Sequence, residues 1–255
     1  MSTLKSIANH TYINAENKLH AKLGLSDNPK EEDFLFGEYK FKIGEKEGQM
    51  TTPNKEDMRR ILKSISEAKR QADFVLVSIH SHEMDGDNLE SPPNFLKEFS
   101  RKCIDGGANA IIGHGPHVLR GIEIYKKSPI FYSLGNFIFQ NDTMTRQPTE
   151  FYDKHDLNHN NNVAELFDAR TNSDSKGFVV DEKVWSSIIP VWKMKDNEIC
   201  DLTLYPIELG MELPRSKRGW PKLKKRHDIL ERLQRLSVPF GTNIQLSEGI
   251  GKVEL

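Results

Sequence analysis

From about residue 52 onward the hydrophobic positions switch between two periods. After Thr52 and Pro53, with acidic Glu56 and Asp57 following, Met58, Ile61, Leu62, Ile65, Ala68 and Ala72 recur at helical spacing. "DFVLVSIH" is then a continuous apolar, β-branched run, which predicts a strand over 74–80 buried on both faces. The polar loop "SHEMDGDNLESPP" separates it from a second helix, residues 93–105, with Phe95, Leu96, Phe99, Cys103 and Ile104 on one stripe. Gly106 and Gly107 end that helix, and "ANAIIGH" is a second buried strand over 109–113. Helix, strand, helix, strand predicts an α/β layered sheet with the two strands parallel and side by side.

The remaining pattern is less uniform. "GIEIY" and "PIFYSLGNFIF" read as strands joined by a "KKSP" turn. Residues 140–182 are polar and rich in Asn, Asp and Thr, so "DLNHNNN" reads as a surface loop or poorly ordered segment. "KVWSSIIPVWKM" and "ICDLTLYPIEL" form a β-hairpin across Asp196-Asn197, a pair suited to a tight turn. A C-terminal helix near 222–236 buries Ile229, Leu230, Leu233 and Leu236. Residues 1–50 are weakly patterned. They offer a short helix over 15–23 stopped by Gly24, and a strand or hairpin in "FLFGEYKFKIGE".

Composition narrows the function classes. The chain has 255 residues, with 36 Lys plus Arg against 37 Asp plus Glu, and this balance argues against a general nucleic-acid or membrane-surface binder. The basic run "RSKRGWPKLKKR", residues 215–226, therefore reads as a solvated face rather than a polyanion site. The two cysteines, Cys103 and Cys200, read as buried, reduced thiols, and no disulfide framework follows. No apolar run approaches the roughly 20 residues of a membrane span, and the start has no apolar signal core. The expected location is cytoplasmic as the sequence stands, or membrane-associated or extracellular if an upstream segment precedes it.

Both buried strands end in histidine. "VLVSIH" delivers His80, and "NAIIGH" delivers His114 with His117 just beyond. Ligands in open sheets of this class sit outside the carboxyl ends of the strands, and adjacent strands lie about 5 Å apart. Three imidazoles there suit a divalent ion such as Mn, Fe or Zn. Gly113 and Gly115 let the backbone bend, and Pro116 stiffens the turn. His82 and Glu83 read either as acid–base groups beside the ligands or as ordinary loop residues. His155 and His159 read as solvated, and "DGDNLE" lacks the spacing of a calcium loop.

These same stretches carry a family likeness. "VLVSIHSHE", "GGANAIIGHGPHVLRGIEIY" and "SPIFYSLGNFIFQ" resemble the capsule-synthesis CapA-like proteins, associated with poly-γ-glutamate production, a branch of the calcineurin-like metallophosphatases. The likeness extends through "LYPIELG" and "LERLQRLSVPFGTNI" to about residue 249. It implies a sheet sandwich of metallophosphatase type, with His80 as a strand-end metal ligand and His114 and His117 as the ligands of a later Gly-His element. That element has one residue between its histidines in the superfamily and two here. His82 and Glu83 are the expected catalytic residues only on the acid–base reading of their loop, not from the likeness. Asn136, in "SLGNF", falls in a family motif and is expected beside the substrate. Arg120 is expected either beside an anionic substrate or at the surface.

One part of the family pattern is missing. The Asp-containing strand, the Gly-Asp element and the Asn-His element that supply carboxylate and bridging ligands have no equivalents, Asn9 to Thr11 being a superficial match. The expectation is one domain over 1–255, N-terminally incomplete, holding one ion or none. Three functions follow: a metal-dependent hydrolase, completed by the missing motifs; a non-catalytic component that binds an anionic polymer or polymer-synthesis subunits; or a truncated, inactive remnant.

Overall fold

The first long helix starts where Asn54 caps it. The Asn54 side chain accepts from the backbone N–H groups of Glu56 and Asp57, so α3 runs Lys55–Lys69 and begins after Pro53 rather than on it. The computed structural model describes residues 2–25, 34–43 and 47–255, in two units, Met1–Gly48 and Gln49–Leu255. The first unit holds α1 (Ser2–Thr11), α2 (Ala15–Lys22) and a hairpin of β1 (Phe34–Phe36) and β2 (Tyr39–Phe41). Asn14 ties helix to hairpin by donating to Leu35 O at 2.6 Å and accepting from Gly37 N at 2.8 Å. Asn9 to Thr11 lie inside α1, where His10 Nδ1 donates to Ser6 O in its own helix. The end of the expected "FLFGEYKFKIGE" element, Gly44 and Glu45, lies outside the described residues.

The second unit opens with α3, β3 (Leu76–His80), α4 (Asn94–Asp105) and β4 (Ala110–His114). The hairpin of β5 (Ile122–Tyr125) and β6 (Ser128–Phe131) follows, its turn made by Lys126 and Lys127, both left-handed. These strands form one sheet in the order β3-β4-β6-β5, with β3 parallel to β4 and β4 parallel to β6. Met58, Ile65, Leu96, Phe99, Cys103, Ile111 and Ile130 make a core between the helices and one face. The last strand of this sheet is shorter than its apolar run, because the chain leaves the ladder after Phe131 to enter the "YSLGN" turn.

A second sheet covers the other face. It contains β7 (Ser186–Lys195), β8 (Glu198–Glu208), β9 (Lys222–Leu223), β10 (Ile244–Ser247) and β11 (Ile250–Val253), in the order β10-β11-β8-β7 with β9 on β8. Asp196 and Asn197, both left-handed, turn β7 into β8. The C-terminal helix α7 runs His227–Ser237, later than expected, because Lys222 and Leu223 are taken into the sheet as β9. Its Ile229, Leu230 and Leu233 join Leu119, Ile122, Phe131, Ile188, Leu202 and Leu204 in a core between the sheets. The result is an α/β sandwich.

Several expectations are corrected. β3 is not buried on both faces: Val77 and Ile79 meet the helices, but Leu76 is 55% exposed and Ser78 and His80 are open, because β3 is an edge strand that the second sheet does not reach. "DLNHNNN" is a loop as expected, but the polar stretch around it is not all loop: it contains α5 (Thr149–Asp153) and α6 (Val163–Thr171), the latter started by a reciprocal cap between Asn162 and Glu165. Cys200 is exposed, on the outward side of β8. The run 215–226 is not simply solvated: Arg218 is buried and ion-paired, and Arg215 and Arg226 pair with acids as well.

Candidate functional site

The parallel register of β3 and β4 sets His80 directly opposite His114. Their Nδ1 atoms lie 2.7 Å apart. His114 Nε2 meets Ser78 Oγ at 2.9 Å, and His80 Nε2 meets His82 Nε2 at 2.8 Å. The His82 ring lies 5.6 Å from the His117 ring, centroid to centroid. The four imidazoles form a string in the order His114, His80, His82, His117. Of the residues expected as ligands, His80 and His114 are in contact, and His117 joins them through His82.

Close backbone packing makes this approach feasible. A Cβ on Gly113 would lie 2.5 Å from Tyr132 O, and one on Gly115 would lie 2.6 Å from Ser81 O. Ser81 N donates to His114 O, so the two loops are joined at that point. His117 follows in a left-handed conformation at φ 64, which costs a non-glycine residue about 1–2 kcal/mol. Asn136 holds it there. Asn136 Nδ2 donates to Val184 O at 2.9 Å and to His117 O at 3.4 Å, while Oδ1 faces His117 Nδ1 at 2.8 Å. The amide nitrogen is committed to carbonyls, so Oδ1 is the acceptor and His117 Nδ1 carries the proton. The lone pair of His117 is then on Nε2, available to a ligand.

Other expected site residues are placed differently. Arg120 is not at the surface: it is fully buried, donating through Nε to Leu89 O at 2.9 Å and through Nη2 to Glu83 O at 2.6 Å. Burial pushes its pKa down to about 10. Its task is to staple the loop between β3 and α4 onto the core. The Glu83 carboxylate accepts from Ser81 Oγ at 2.7 Å, and that bond holds its pKa below the usual value. Burial, and then the charge of His80, depress His114, keeping it in the neutral form that can donate a lone pair.

The donor set suits a divalent ion by type, since neutral imidazole binds Mn, Fe and Zn. Its arrangement is pairwise. Among the described residues no three His, Cys, Asp or Glu side chains converge on one ion position. His80 turns its two nitrogens to two different neighbours. The two N···N contacts are also tighter than the roughly 3.3 Å between two nitrogens on one tetrahedral ion at 2.0–2.1 Å.

Comparison with known proteins decides the family. A family model described as "Bacterial capsule synthesis protein PGA_cap" matches residues 8–141, just over half of the 255. The chain belongs to the bacterial capsule synthesis family. Two proteins of Sinorhizobium fredii (strain NBRC 101917 / NGR234), y4sH and y4uA, both named only as uncharacterized, are each 38% identical over 225 residues, which is 84% of this chain and 48% of theirs. The PGA biosynthesis protein CapA of Bacillus subtilis (strain 168) is 49% identical over 84 residues, 32% of this chain and 21% of its own. The capsule biosynthesis protein CapA of Bacillus anthracis is 35% identical over 135 residues, 53% of this chain and 30% of its own. The chain thus spans about half the length, or less, of these relatives.

In this capsule-family chain, sequence reasoning missed one wall of the cleft. Phe178, from the polar stretch 140–182, lies 4.9 Å from the His117 ring, and Phe139 lies 6.0 Å from it. A cavity of about 210 Å³ opens beside them, lined also by Phe167 and Val179, with Arg170 and Lys176 among its residues. Buried charge fixes this wall. Arg218 pairs with Asp142 at 2.5 Å and Asp174 at 3.3 Å, and Arg215 holds Asp174 at 2.9 Å and Asp168 at 2.8 Å. The spacing of Asn162 and Glu165 was the available sign of order there. A larger cavity, about 700 Å³, lies at the amino ends of β3 and β4 and touches none of these histidines. No helix among the described residues is long and apolar enough to cross a membrane.

Proposed function

We propose that this capsule-family chain works in poly-γ-glutamate synthesis by holding one divalent ion at the carboxyl ends of β3 and β4, and that the ion meets the carboxylates of the anionic polymer. The observation that carries this reading is the Asn136–His117 pair, which leaves a lone pair on His117 Nε2 at the end of the imidazole string, next to the His82 ring. His82 lies between His80 and His117, so His80 Nε2, His82 Nε2 and His117 Nε2 would be the donors, which requires the rings to turn out of their pairwise contacts. His114 then holds His80 from behind through Nδ1. The resemblance to metallophosphatases and the name of the Bacillus subtilis relative, a PGA biosynthesis protein, support the metal and the polymer respectively.

When bound, the ion supplies a Lewis acid with its charge uncompensated, because the donors are neutral. The chain's own residues orient rather than react: Asn136 fixes a tautomer, Ser78 fixes His114, and Arg120 fixes the loop that carries His82. A second ion beside the first would meet repulsion with no carboxylate among the described residues to offset it. This favours polymer binding over turnover by the chain alone. Metal analysis of protein dialysed against zinc or manganese tests the reading. One ion per chain is expected, lost in His80→Ala and His117→Ala. Binding at micromolar metal that ignores both substitutions, or no binding at all, overturns it.

A further inference from the structure

Phe139 and Phe178, the phenyl rings against His117, also line the cavity of about 210 Å³ beside it. That volume is below the roughly 300 Å³ at which pockets for drug-sized ligands begin, so the cavity suits a unit no larger than one amino acid. Its inner surface is apolar. Phe139 and Phe167 are buried, and Val179 packs on the cluster that holds Phe139. The polar groups inside are committed: the Asp142 carboxylate pairs with Arg218, and Thr171 Oγ1 donates to Phe167 O at 2.7 Å. Arg170 and Lys176 are different. Both line the cavity, both are exposed, and among the described residues neither side chain pairs with an acid; the Arg170 guanidinium instead lies 6.0 Å from the Phe151 ring.

The chain is bent to bring Lys176 to this place. Asn172, Ser173 and Asp174 are left-handed in succession, at φ 48, 55 and 64, a conformation unfavourable for L-residues. The surroundings hold the turn. Ser175 N and Lys176 N both donate to Thr171 O, and Arg215 clamps the Asp174 carboxylate with two bonds of 2.9 Å. Strain of this kind persists only where neighbours over-determine it, and it collects at ligand-binding sites. Its product here is an ammonium group at the rim of an apolar slot.

We propose that this cavity is a subsite for one glutamyl unit of the polymer, with the methylenes against Phe139, Phe167 and Phe178 and the carboxylate on Arg170 and Lys176. A bare anion has no use for the phenyl rings, and an uncharged apolar ligand has none for two cations without acidic partners. An aliphatic carboxylate uses both. The inference rests on the reading of an anionic polymer at the cleft, but not on the ion, since none of the imidazoles lines the cavity.

Isothermal titration of a γ-linked glutamate tetramer into metal-free protein tests it. The metal is stripped with phenanthroline, which is dialysed away, so that no carboxylate chelator competes. Binding is expected without metal and should weaken about tenfold in the Arg170→Glu/Lys176→Glu double variant, whose changes are both at exposed positions. Val179→Phe narrows the slot without altering charge and should weaken binding as well. Thermal midpoints show whether each variant folds, and if Val179→Phe does not, the double variant decides alone. A tetramer with its carboxyls converted to amides should lose binding, and inorganic phosphate should not displace the native tetramer. The proposal is overturned if the tetramer binds only with zinc, which leaves the ion as its holder and the proposed function standing. It is overturned too if either folded variant binds as the native protein does, or if phosphate competes on equal terms. Metal-free binding that the variants weaken, in a protein that takes up no ion, upholds the subsite and removes the metal. No binding with or without zinc overturns the subsite and the polymer together.

Discussion

Asn136 fixes which nitrogen of His117 carries the proton. Its amide nitrogen serves Val184 O at 2.9 Å, so its oxygen must accept from His117 Nδ1 at 2.8 Å. Asn136→Ala should free the ring to change tautomer and should lower metal affinity by about 10- to 100-fold. The same substitution removes support from a left-handed residue, and a stability loss of about 1–3 kcal/mol is expected. Isothermal titration with zinc and urea unfolding measure the two effects. An unchanged affinity would show that the tautomer does not matter.

The glycines of the "IGHG" turn should tolerate no side chain. Gly115→Ala sets a methyl group 2.6 Å from Ser81 O at a φ of +128, and Gly113→Ala sets one 2.5 Å from Tyr132 O. Each should cost about 2 kcal/mol or more in denaturant unfolding. Gly86→Ala, at φ +62 with open space around it, should cost about 1 kcal/mol and is the control.

Arg120 should matter for stability before it matters for binding. Arg120→Met removes the donors to Glu83 O and Leu89 O and exposes two loop carbonyls to an apolar side chain. A loss of about 2–4 kcal/mol is expected. The loop of residues 81–91 should become susceptible to proteolysis, which limited digestion reads directly. Arg120→Lys should rescue only partly, since one ammonium does not reproduce the planar fork.

The wall beside His117 should loosen in acid. The hydrogen bond from Arg215, reinforced by Arg218, holds the Asp174 pKa at about 2, below its ordinary 3.8. A depressed carboxylate contributes stability that is complete above the unfolded value and is lost as pH falls from about 4 toward 2. The contribution is at most about 2 kcal/mol. Urea midpoints measured across that range should fall more steeply for the native protein than for Asp174→Asn.

Hydrolysis by the chain alone should be weak. Turnover of a generic phosphodiester with added zinc or manganese should stay near the uncatalysed rate, because among the described residues no carboxylate joins the string of imidazoles to bridge a second ion. Robust metal-dependent turnover abolished by His114→Ala would replace the binding reading with a hydrolase.

Much of the scaffold was legible from residue order. The parallel β3–β4 pair follows from two apolar runs flanking a helix, and the contact of His80 with His114 follows from their equal places at the strand ends. The Asp196-Asn197 turn follows from its own chemistry. Other features depend on what lies across space. Periodicity identifies Leu76 as apolar but not whether anything covers it. The burial of Arg120 depends on two carbonyls more than thirty residues away in sequence, and no local signal marks them. His82 sits in a loop, where the alternation of a strand no longer fixes direction. Helix α6 was masked by the asparagines before it, one of which is its cap.

Phe178 touches the His117 ring, and its carbonyl accepts from Trp185 Nε1 at 3.0 Å. Trp185 adjoins Val184, whose carbonyl Asn136 grips, and Asn136 grips His117. The five residues close a circuit in which ring contact and backbone return path meet at one imidazole. The ring that walls the cleft and the amide that orients the imidazole are therefore anchored to one short stretch of chain, residues 184–185.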